Sequence, residues 1–363
     1  MRVLMVSKAC VLKAYRKKLE ELAKLGVEIY LVVPSCWRDE RGVLPLEEGE
    51  DGYQMLVDKL AFNGHYHLHF YPRLARYMRE VKPDIVHIDE EPYNLATFQA
   101  MWLAQREEAK ALFFTWQNLC RLYPPPFSWM ERYNYRHASW AIAGNQEAVR
   151  VLRRKGYTGK VSVIPQFGVD EEIFHPADGK SESVPFTIGF VGRLVEEKGV
   201  HLLLRAVAKM QAPWRLRILG TGPWQLRLEE LAVELGIAGE VSFEHQLPSL
   251  QLPDFYRSLD VLVLPSITKP NWKEQFGRVL VEAMACGVPV IGSSCGEIPN
   301  VVGEAGLIFP EGDVDALRDA LERLRLDEGL RRSLSLQGRR RVLENYTQKI
   351  IAAKTFEVYQ ELL

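Results

Sequence analysis

The sequence predicts an α/β protein with two doubly wound parallel sheets, one in each of two domains. The chain has 363 residues, about twice the usual size of a single domain. Apolar runs of strand length alternate with helical periodicity through both halves. A polar, loop-forming stretch interrupts this alternation, and it contains Pro176, Asp178, Gly179, Ser181, Ser183 and Pro185. We therefore expect a first domain at 1–170, a second at 171–345 and a last helix at 346–363.

The first half begins with a strand–helix–strand unit. Residues 3–6 are a short apolar run, residues 11–25 have helical periodicity that Gly26 ends, and residues 27–33 are a second apolar run. A unit of this size is typical of a βαβ motif and favours a parallel sheet. The alternation continues with predicted strands at 84–88, 111–115 and 140–143 and predicted helices at 95–107 and 127–137.

Residues 35–71 are less regular, and we expect strands and a loop there. His65, His67 and His69 alternate with apolar residues, so they would share one face of a predicted strand. Zinc ligands are sometimes spaced in this way, but a strand with a solvated face is the favoured interpretation.

The second half repeats the strand–helix alternation. Its predicted strands lie at 186–191, 215–219, 241–244, 261–264 and 288–291, and its predicted helices at 198–210, 224–235, 251–258 and 276–286. Two helical runs at 313–325 and 329–344 follow, and then the last helix. The apolar positions of that helix need a partner, so we expect it to cross back to the first domain. Because open sheets bind ligands at the carboxyl ends of their strands, two such domains predict a ligand cleft between them.

Composition excludes several classes of protein. With 47% hydrophobic and 26% charged residues, the chain is typical of soluble globular proteins rather than disordered ones. The net charge of −1 argues against a general nucleic-acid binder, although residues 1–170 carry 24 basic and 20 acidic side chains. The five cysteines lack metal-ligand spacing, and the apolar run before Ser7 is too short for a signal peptide or a membrane span. We therefore expect a cytoplasmic location.

A glycine-containing loop with two cations follows the predicted strand 186–191. Gly192 would let a ligand approach the backbone, while Arg193 and Lys198 would place a forked and a point cation near a helix N-terminus. This combination suits phosphate oxygens. A glycine turn with two solvated charges would give the same pattern.

A second group of polar residues surrounds the start of the predicted helix 276–286. Glu274 lies in the loop before this helix, and Glu282 lies a little over two turns further along. One carboxylate could therefore reach the reacting end of a ligand and the other a more distant part. The backbone N–H groups near Phe276 and Gly277 would face an anion placed between them.

These residues belong to a longer series of motifs that resembles a known family. In order, the motifs are Gly192-Arg193, Lys198-Gly199, Gly220-Thr221-Gly222-Pro223, Pro265-Ser266, the segment from Glu274 through Glu282 to Val290, and Gly306-Leu307-Ile308. The series covers roughly residues 160–345, and it is similar to the C-terminal domain of retaining GT-B glycosyltransferases of family 4, the glycosyl transferases group 1.

The resemblance implies two Rossmann-like domains and a nucleotide-diphosphate sugar as donor, of UDP or GDP type. It also implies transfer with retained anomeric configuration, no cofactor and no obligatory metal. The one D-x-D triplet, Asp313-Val314-Asp315, follows Gly312 and opens a helix, so we interpret Asp313 as an N-cap rather than a metal ligand.

The resemblance also implies roles for individual residues. Arg193 and Lys198 would contact the diphosphate, Glu282 the ribose hydroxyls, and Glu274 the donor sugar together with the Phe276-Gly277 backbone. Arg193, Lys198 and Glu274 are therefore the predicted catalytic residues. The predicted donor-binding residues are Gly192, Arg193, Lys198, Gly220, Gln275, Phe276, Gly277 and Glu282.

The first domain departs from the family pattern at two loops. Many relatives have a Gly-Gly loop after the first strand, whereas this chain has Ser7-Lys8-Ala9-Cys10, in which Lys8 could take over an anionic contact. Many relatives also place a His after the strand corresponding to 111–115, whereas this chain has Trp116, Gln117 and Asn118. Another predicted strand, 84–88, ends in polar residues. On these grounds the acceptor-side candidates are Lys8, His87, Glu90, Gln117 and Asn118, with a satisfied strand-end histidine as the alternative for His87.

An aromatic and basic segment of the first domain has two interpretations. Its aromatic and basic members are Phe127, Trp129, Tyr133, Tyr135, Arg132, Arg136 and His137. Such a segment could rest on an anionic bilayer, but an inter-helix core with a solvated rim is the favoured interpretation. Peripheral membrane contact through the basic first domain remains open.

The function predicted from the sequence is transfer of a sugar from a nucleotide-diphosphate sugar to a glycan, glycolipid or small-molecule acceptor. Two alternatives remain. One is a phosphorylase or nucleotide-sugar epimerase on the same fold, and the other is a non-catalytic nucleotide-sugar binding protein.

Overall fold

The computed structural model describes residues 1–39, 42–49, 51–177, 185–245, 247–248 and 251–363. The chain divides into two compact units. The first contains Met1–Gly168 together with Gln348–Leu363, and the second contains Val169–Thr347. Most of the predicted linker, residues 178–184, lies outside the described residues.

The first unit is built on a seven-stranded parallel sheet with the strand order β5-β2-β1-β6-β7-β8-β9. Its strands are β1 (Arg2–Val6), β2 (Glu28–Pro34), β5 (Gln54–Asp58), β6 (Ile85–Ile88), β7 (Lys110–Thr115), β8 (Trp140–Ala143) and β9 (Lys160–Val163), and a hairpin of β3 (Cys36–Asp39) and β4 (Gly42–Pro45) follows β2. The central strands β1, β6 and β7 are almost completely buried because helices cover both faces of the sheet. The helices that connect these strands are α1 (Lys17–Lys24), α2 (Leu74–Val81), α3 (Leu95–Arg106), α4 (Phe127–His137) and α5 (Gln146–Arg154).

The second unit repeats this architecture on a six-stranded parallel sheet with the order β12-β11-β10-β13-β14-β15. Its strands are β10 (Phe186–Val191), β11 (Trp214–Leu219), β12 (Val241–Glu244), β13 (Val261–Leu264), β14 (Val290–Ser293) and β15 (Leu307–Phe309). Its helices are α6 (Val200–Val207), α7 (Gln225–Glu234), α8 (Leu252–Arg257), α9 (Arg278–Ala285), α10 (Ile298–Val302), α11 (Val314–Leu326) and α12 (Glu328–Asn345). The predicted α/β class with two parallel sheets is confirmed.

The last helix, α13 (Gln348–Leu362), packs in the first unit, where it lies against α1. Its buried apolar face joins the core beneath β1 and β2, and that face consists of Ile351, Ala352, Val358 and Tyr359. The apolar stripe read from the sequence therefore has its partner in the first unit.

Each sheet has a point where the chain reverses its winding direction. In the first sheet this point lies between β1 and β6, and in the second between β10 and β13. The loops that follow these strand pairs lie side by side at the carboxyl edge, where open α/β sheets bind ligands. The residues 7–16 and 89–94 meet in this way in the first unit, and 192–199 and 265–277 in the second.

One predicted helix of the first unit is wrong in detail. In place of the first part of the predicted helix 11–25, two short 3₁₀ turns, Ala9–Val11 and Lys13–Tyr15, precede α1, which begins only at Lys17. The backbone carbonyl of Val11 accepts the N–H of Glu47 at 2.9 Å, and the N–H of Lys13 donates to the Glu47 carboxylate at 2.5 Å. The Val11 carbonyl therefore does not accept the hydrogen bond from residue 15 that an α-helix beginning at residue 11 would need.

The histidine-rich segment forms turns rather than the predicted strand. The N–H of Leu68 donates to the carbonyl of His65 at 3.1 Å, and Ala61 pairs with Phe70 in an isolated antiparallel bridge. His69 is buried, whereas His65 is exposed.

Among the described residues, no helix is long and apolar enough to cross a bilayer.

Candidate active site

The loops at the winding reversal of the second sheet bring two predicted catalytic residues together. Glu274, in the loop between β13 and α9, is only 7% exposed. Lys198 ends the short 3₁₀ turn Glu196–Lys198 after β10, and its Nζ lies 2.6 Å from Oε2 of Glu274. The hydroxyl of Ser266 donates to the same oxygen at 3.0 Å. A cation and a neutral donor therefore orient one buried carboxylate.

Close backbone contact between the two loops fixes this pair. Gly199 has φ +67°, and a Cβ at this position would lie 1.9 Å from the carbonyl oxygen of Pro265. Beside it, the N–H of Ile267 donates to the carbonyl of Glu197 at 2.8 Å. Only glycine permits this approach, and the approach places Lys198 over the loop that carries Glu274.

The loop of Glu274 is held from its other side as well. The N–H of Glu297 donates to the carbonyl of Glu274 at 3.1 Å. The hydroxyl of Ser293, at the end of β14, donates to the carbonyl of Ser266 at 2.5 Å. Loops after β10, β13 and β14 thus support one carboxylate.

Glu282 lies on the buried face of α9 and is 5% exposed. The hydroxyl of Tyr256, from α8, donates to Oε2 of Glu282 at 2.7 Å. Nε of Arg278, one helical turn earlier, donates to Oε1 at 2.7 Å. Burial and the neighbouring carboxylate raise the pKa of Tyr256 well above its usual value, so its hydroxyl keeps its proton and remains a donor.

The remaining donor-side candidates lie around these two carboxylates. Gly277 is the N-cap of α9 with φ +79°, and the half-buried ring of Phe276 lies edge-on to Tyr346 at 5.6 Å between centroids. Gln275 and Arg193 are exposed. The structure joins Lys198 to Glu274 directly and places Arg193 at the start of the same loop as Lys198.

Gly192 and Gly220 make a close contact between the loops after β10 and β11. A Cβ on Gly220 would lie 1.9 Å from the carbonyl oxygen of Gly192, so this packing also requires glycine. The N–H of Leu194 donates to the carbonyl of Thr221 at 2.9 Å, and the N–H of Trp224 donates to the carbonyl of Leu194 at 2.9 Å. The two glycines therefore shape the loop that carries Arg193 and Lys198.

In the first unit, the structure brings Lys8 and Glu90 together at the corresponding winding reversal. The backbone N–H of Lys8 donates to Oε1 of Glu90 at 3.1 Å, and its ammonium group contacts Oε2. Nε2 of His69 lies 3.6 Å from Oε1. Burial alone would raise the pKa of Glu90, but the charges of Lys8 and His69 outweigh it and lower the pKa to about 2.

Glu91 is a further candidate, which the sequence indicated only as one of the polar residues that follow the predicted strand 84–88. The hydroxyl of Thr115 donates to its Oε2 at 2.6 Å, and the backbone N–H of Trp116 donates to its Oε1 at 2.8 Å. Burial raises the pKa of Glu91 to about 7 in spite of these two donors. The signal in the sequence was its place directly after β6, beside Glu90.

Gln117 and Asn118 follow β7 and are each 7% exposed. Oε1 of Gln117 accepts a hydrogen bond from Nζ of Lys155 at 3.3 Å, and the same ammonium group lies 2.5 Å from Oε1 of Glu131. His87 is placed elsewhere. Its Nδ1 lies 2.6 Å from the hydroxyl of Tyr359 on α13, in the core, and burial lowers its pKa well below the usual value.

The structure therefore does not bring His87 together with Lys8 and Glu90, because its side chain points to the face of the sheet that α13 covers.

The N-cap interpretation of Asp313 is confirmed, since its Oδ1 accepts the N–H of Ala316 at 2.9 Å at the start of α11. Within the described ranges, no group of three or more His, Cys, Asp or Glu side chains is arranged to hold a metal ion.

Solved structures define the class of fold. A sucrose-phosphate synthase from Thermosynechococcus elongatus superimposes with a TM-score of 0.76 at 20% identity, over 100% of this chain and 99% of that chain. HepE from Anabaena, solved in complex with UDP, gives a TM-score of 0.72 at 16% identity, over 99% and 100%. The chain thus has the two-domain GT-B fold of glycosyltransferases.

Family comparisons are more specific. Residues 17–172 match the family described as Glycosyltransferase Family 4, and residues 171–341 match the family described as Glycosyl transferases group 1. Each half of the chain therefore contains a region that matches a glycosyltransferase family. The resemblance read from the sequence is confirmed at this level.

Curated relatives match over part of the chain. The putative colanic acid biosynthesis glycosyltransferase WcaL of Salmonella typhimurium is 30% identical over 218 residues, which is 58% of this chain and 54% of the relative. A D-inositol 3-phosphate glycosyltransferase of Corynebacterium jeikeium is 36% identical over 196 residues, 48% of this chain and 45% of the relative. The alignments thus span about half the length of the curated relatives.

Proposed function

We propose that the protein is a retaining glycosyltransferase that moves a sugar from a UDP- or GDP-type nucleotide-diphosphate sugar to a glycan, glycolipid or small-molecule acceptor. The observation that carries this proposal is the Lys198–Glu274 pair at the winding reversal of the group 1 domain. The names of the relatives, which are glycosyltransferases, and the UDP bound to HepE agree with it.

In this proposal, Lys198 and Arg193 bind the diphosphate. The bond from the anomeric carbon to the phosphate oxygen breaks, and its electron pair leaves with the nucleotide diphosphate. Cations held at that oxygen stabilise the negative charge as it develops. Lys198 is suited to this because Gly199 and the Pro265 backbone fix its position before the donor binds.

Glu274 serves the sugar end of the donor. Its carboxylate can accept hydrogen bonds from sugar hydroxyls and favour the positive charge that grows at the anomeric carbon. The acceptor hydroxyl oxygen then bonds to that carbon on the face the phosphate leaves, and its proton passes to the departing phosphate oxygen. Attack on this face retains the configuration, and transfer of the proton to the phosphate oxygen needs no separate base.

Glu282 is proposed to bind the ribose. Tyr256 and Arg278 hold its carboxylate in one orientation, which is the preparation that a hydroxyl-binding group needs. Lys8, Glu90, Gln117 and Asn118 are the proposed acceptor-side groups of the first unit. The expected cytoplasmic location goes with this proposal and accords with five free cysteines.

The test is a thermal-shift screen of UDP, GDP and ADP and their sugars on the full chain, followed by sugar transfer with the nucleotide that binds. We expect one nucleotide diphosphate to raise the melting temperature, since a ligand that binds only the folded state stabilises it. Activity should persist with chelator and should not depend on inorganic phosphate. Loss of activity in chelator with recovery in magnesium or manganese would contradict metal independence, and phosphate-dependent turnover would favour a phosphorylase.

Arg193→Ala is the matching variant, and it should lose on the order of 2 to 4 kcal/mol of transition-state stabilisation. If its turnover and donor affinity equal those of the wild type, Arg193 is not a diphosphate ligand.

A further inference from the structure

The positive charge of the first unit is concentrated in one segment. Residues 119–160 carry eight basic and two acidic side chains, a net +6, whereas residues 1–170 as a whole carry 24 basic and 20 acidic side chains, a net +4. One of the two acidic residues, Glu131, is buried and paired with Lys155. The solvent-facing part of this segment is therefore strongly basic.

Large apolar side chains project from the same segment. Leu122, in the loop between β7 and α4, is 88% exposed, and Trp129, in the first turn of α4, is 60% exposed. Arg132 and Arg136 are also exposed, and they lie three and seven residues after Trp129 on the same face of α4. We call Leu122, Trp129, Arg132 and Arg136 the α4 surface.

The other aromatic residues of α4 pack inward. Tyr133 lies edge-on to Phe98 of α3, with 5.0 Å between ring centroids, and Tyr135 stacks on Phe113 of β7 at 5.8 Å. The core interpretation made from the sequence is therefore right for these two tyrosines. It does not account for Trp129, most of whose side chain is exposed.

A lipid bilayer with anionic headgroups fits the chemistry of the α4 surface. Trp and Leu side chains partition into the boundary between headgroups and acyl chains, and arginines beside them bind lipid phosphates. On the neighbouring helix α3, the guanidinium group of Arg106 lies 4.7 Å from the ring centroid of Trp102, which is 41% exposed. This second tryptophan–arginine pair combines the same residue types on α3.

We propose that the α4 surface docks the protein on anionic bilayers and that the acceptor is carried by a membrane lipid. The second clause rests on the proposed function. The loop that carries Leu122 begins at the acceptor-side candidates Gln117 and Asn118, at the carboxyl edge of the sheet. Within this loop, Nε2 of Gln117 lies 3.5 Å from the hydroxyl of Tyr123. Docking would therefore bring the acceptor side to the level of the lipid headgroups.

Vesicle sedimentation of the full chain tests the docking surface. The vesicles are phosphatidylcholine alone or phosphatidylcholine mixed with phosphatidylglycerol. We expect the wild type to prefer the anionic vesicles by at least about tenfold and to lose this preference at high salt, because charge attraction and apolar insertion act together. Leu122→Ser with Trp129→Ser, and Arg132→Glu with Arg136→Glu, should each lower the partition coefficient by roughly tenfold or more.

Matched control variants change exposed leucines and arginines of the second unit. Leu226 and Leu336 are 68% and 73% exposed, and Arg323 and Arg340 are exposed basic residues. Leu226→Ser with Leu336→Ser, and Arg323→Glu with Arg340→Glu, should bind vesicles like the wild type. The melting temperature without ligand should be the same in all variants, which separates loss of docking from loss of fold.

Three results would overturn the docking surface: no preference of the wild type for anionic vesicles, equal binding by the α4 variants, or binding to soluble dextran sulfate without binding to vesicles. The acceptor clause is tested with labelled donor and vesicles of total bacterial lipid. The clause is supported if label enters the lipid extract and falls about tenfold there in the α4 variants, with donor hydrolysis unchanged. It is overturned if the label stays in water-soluble products. If no nucleotide binds at all, the proposed function fails while the vesicle result stands.

Discussion

Lys198 and Glu274 form an ion pair across the two loops at the winding reversal of the second sheet, with Nζ 2.6 Å from Oε2. The sequence places these residues 76 positions apart, and both side chains are largely buried. Each group therefore neutralises the other until a ligand arrives. In the proposed function, a diphosphate that attracts Lys198 would free Glu274 to accept hydrogen bonds from the sugar, so donor binding would expose the carboxylate.

Removal of the cation should affect both donor binding and turnover. Lys198→Met keeps an unbranched side chain of nearly the same length but leaves Glu274 without its counter-charge. We expect a loss of about 2 to 4 kcal/mol in transition-state stabilisation, because the developing phosphate charge loses a positioned cation. The measurement is kcat/KM for the donor together with nucleotide affinity.

Lys269 provides the matched control. Its Nζ lies 2.6 Å from Oε1 of Glu196, in an ion pair that also joins these two loops but is more exposed than the Lys198–Glu274 pair. Because exposed ion pairs contribute little, Lys269→Met should change kcat/KM by less than about threefold. Equal effects of the two substitutions would mean that Lys198 acts only by holding the loops together.

The two carboxylates should separate turnover from nucleotide affinity. Glu274→Gln should lower turnover more than nucleotide affinity, since its contact strengthens as charge develops at the anomeric carbon. Glu282→Gln should weaken binding of the nucleotide diphosphate itself, because a ribose contact is made equally in the ground and transition states. Turnover and nucleotide diphosphate affinity are measured in both variants, and the reversed pattern would overturn the assignment.

Tyr256 should act on the nucleotide through Glu282. Tyr256→Phe removes the hydroxyl that donates to Oε2 of Glu282 at 2.7 Å and leaves the ring packing in place. We expect nucleotide diphosphate affinity to fall by about 1 kcal/mol, the usual value of one hydrogen bond, with little change in kcat. Calorimetric titration of the nucleotide is the measurement.

Tyr157→Phe serves as the comparison for this variant. Its hydroxyl donates to the carbonyl of Lys160 at 3.1 Å in the first unit, so the variant loses a hydrogen bond of similar kind away from Glu282. Nucleotide affinity should stay at the wild-type value. If Tyr256→Phe binds nucleotide as tightly as Tyr157→Phe does, Tyr256 does not position Glu282.

The sequence predicts the sheets well because buried parallel strands are continuous apolar runs. The predicted strand 140–143 and helix 127–137 coincide with β8 and α4. The strand predicted for the histidine-rich segment is wrong, because an alternating pattern shows which residues are apolar but not which residues they contact. There, local hydrogen bonds such as Leu68 N–H to His65 C=O close turns, and His69 packs edge-on to Trp37 from the hairpin.

The candidate site was predictable in residue type and place but not in its contacts. Lys198 and Glu274 follow strands, and parallel strands bring their carboxyl ends to one edge. The partners Ser266 and Tyr256 were not predictable, because Tyr256 reaches Glu282 from a different helix, through packing that periodicity does not encode. The charge state of Glu91 likewise depends on its burial.

Glu91 should make the stability of the protein fall as the pH rises towards neutrality. Its carboxyl has an ordinary pKa of 4.5 and a pKa raised to about 7 by burial in the folded protein. Between these pH values the folded state holds a proton that the unfolded state has released. The free energy of unfolding therefore decreases with pH from this group, by about 3 kcal/mol over the whole interval.

Glu91→Gln isolates this contribution. Glutamine can still accept the Trp116 N–H, and the Thr115 hydroxyl can turn to accept from the amide, so both contacts survive. The free energy of unfolding is measured by urea unfolding from pH 4.5 to 7. We expect its slope against pH in Glu91→Gln to differ from that of the wild type by up to about 1.4 kcal/mol per pH unit. The control variant Glu107→Gln, at the exposed end of α3, should leave the slope unchanged. Glu90 works in the opposite direction, because its folded pKa is about 2 and the stability it contributes is lost as the pH falls below 4.5. Identical slopes in the wild type and Glu91→Gln would show that Glu91 is already ionised in the folded protein at pH 5 to 6.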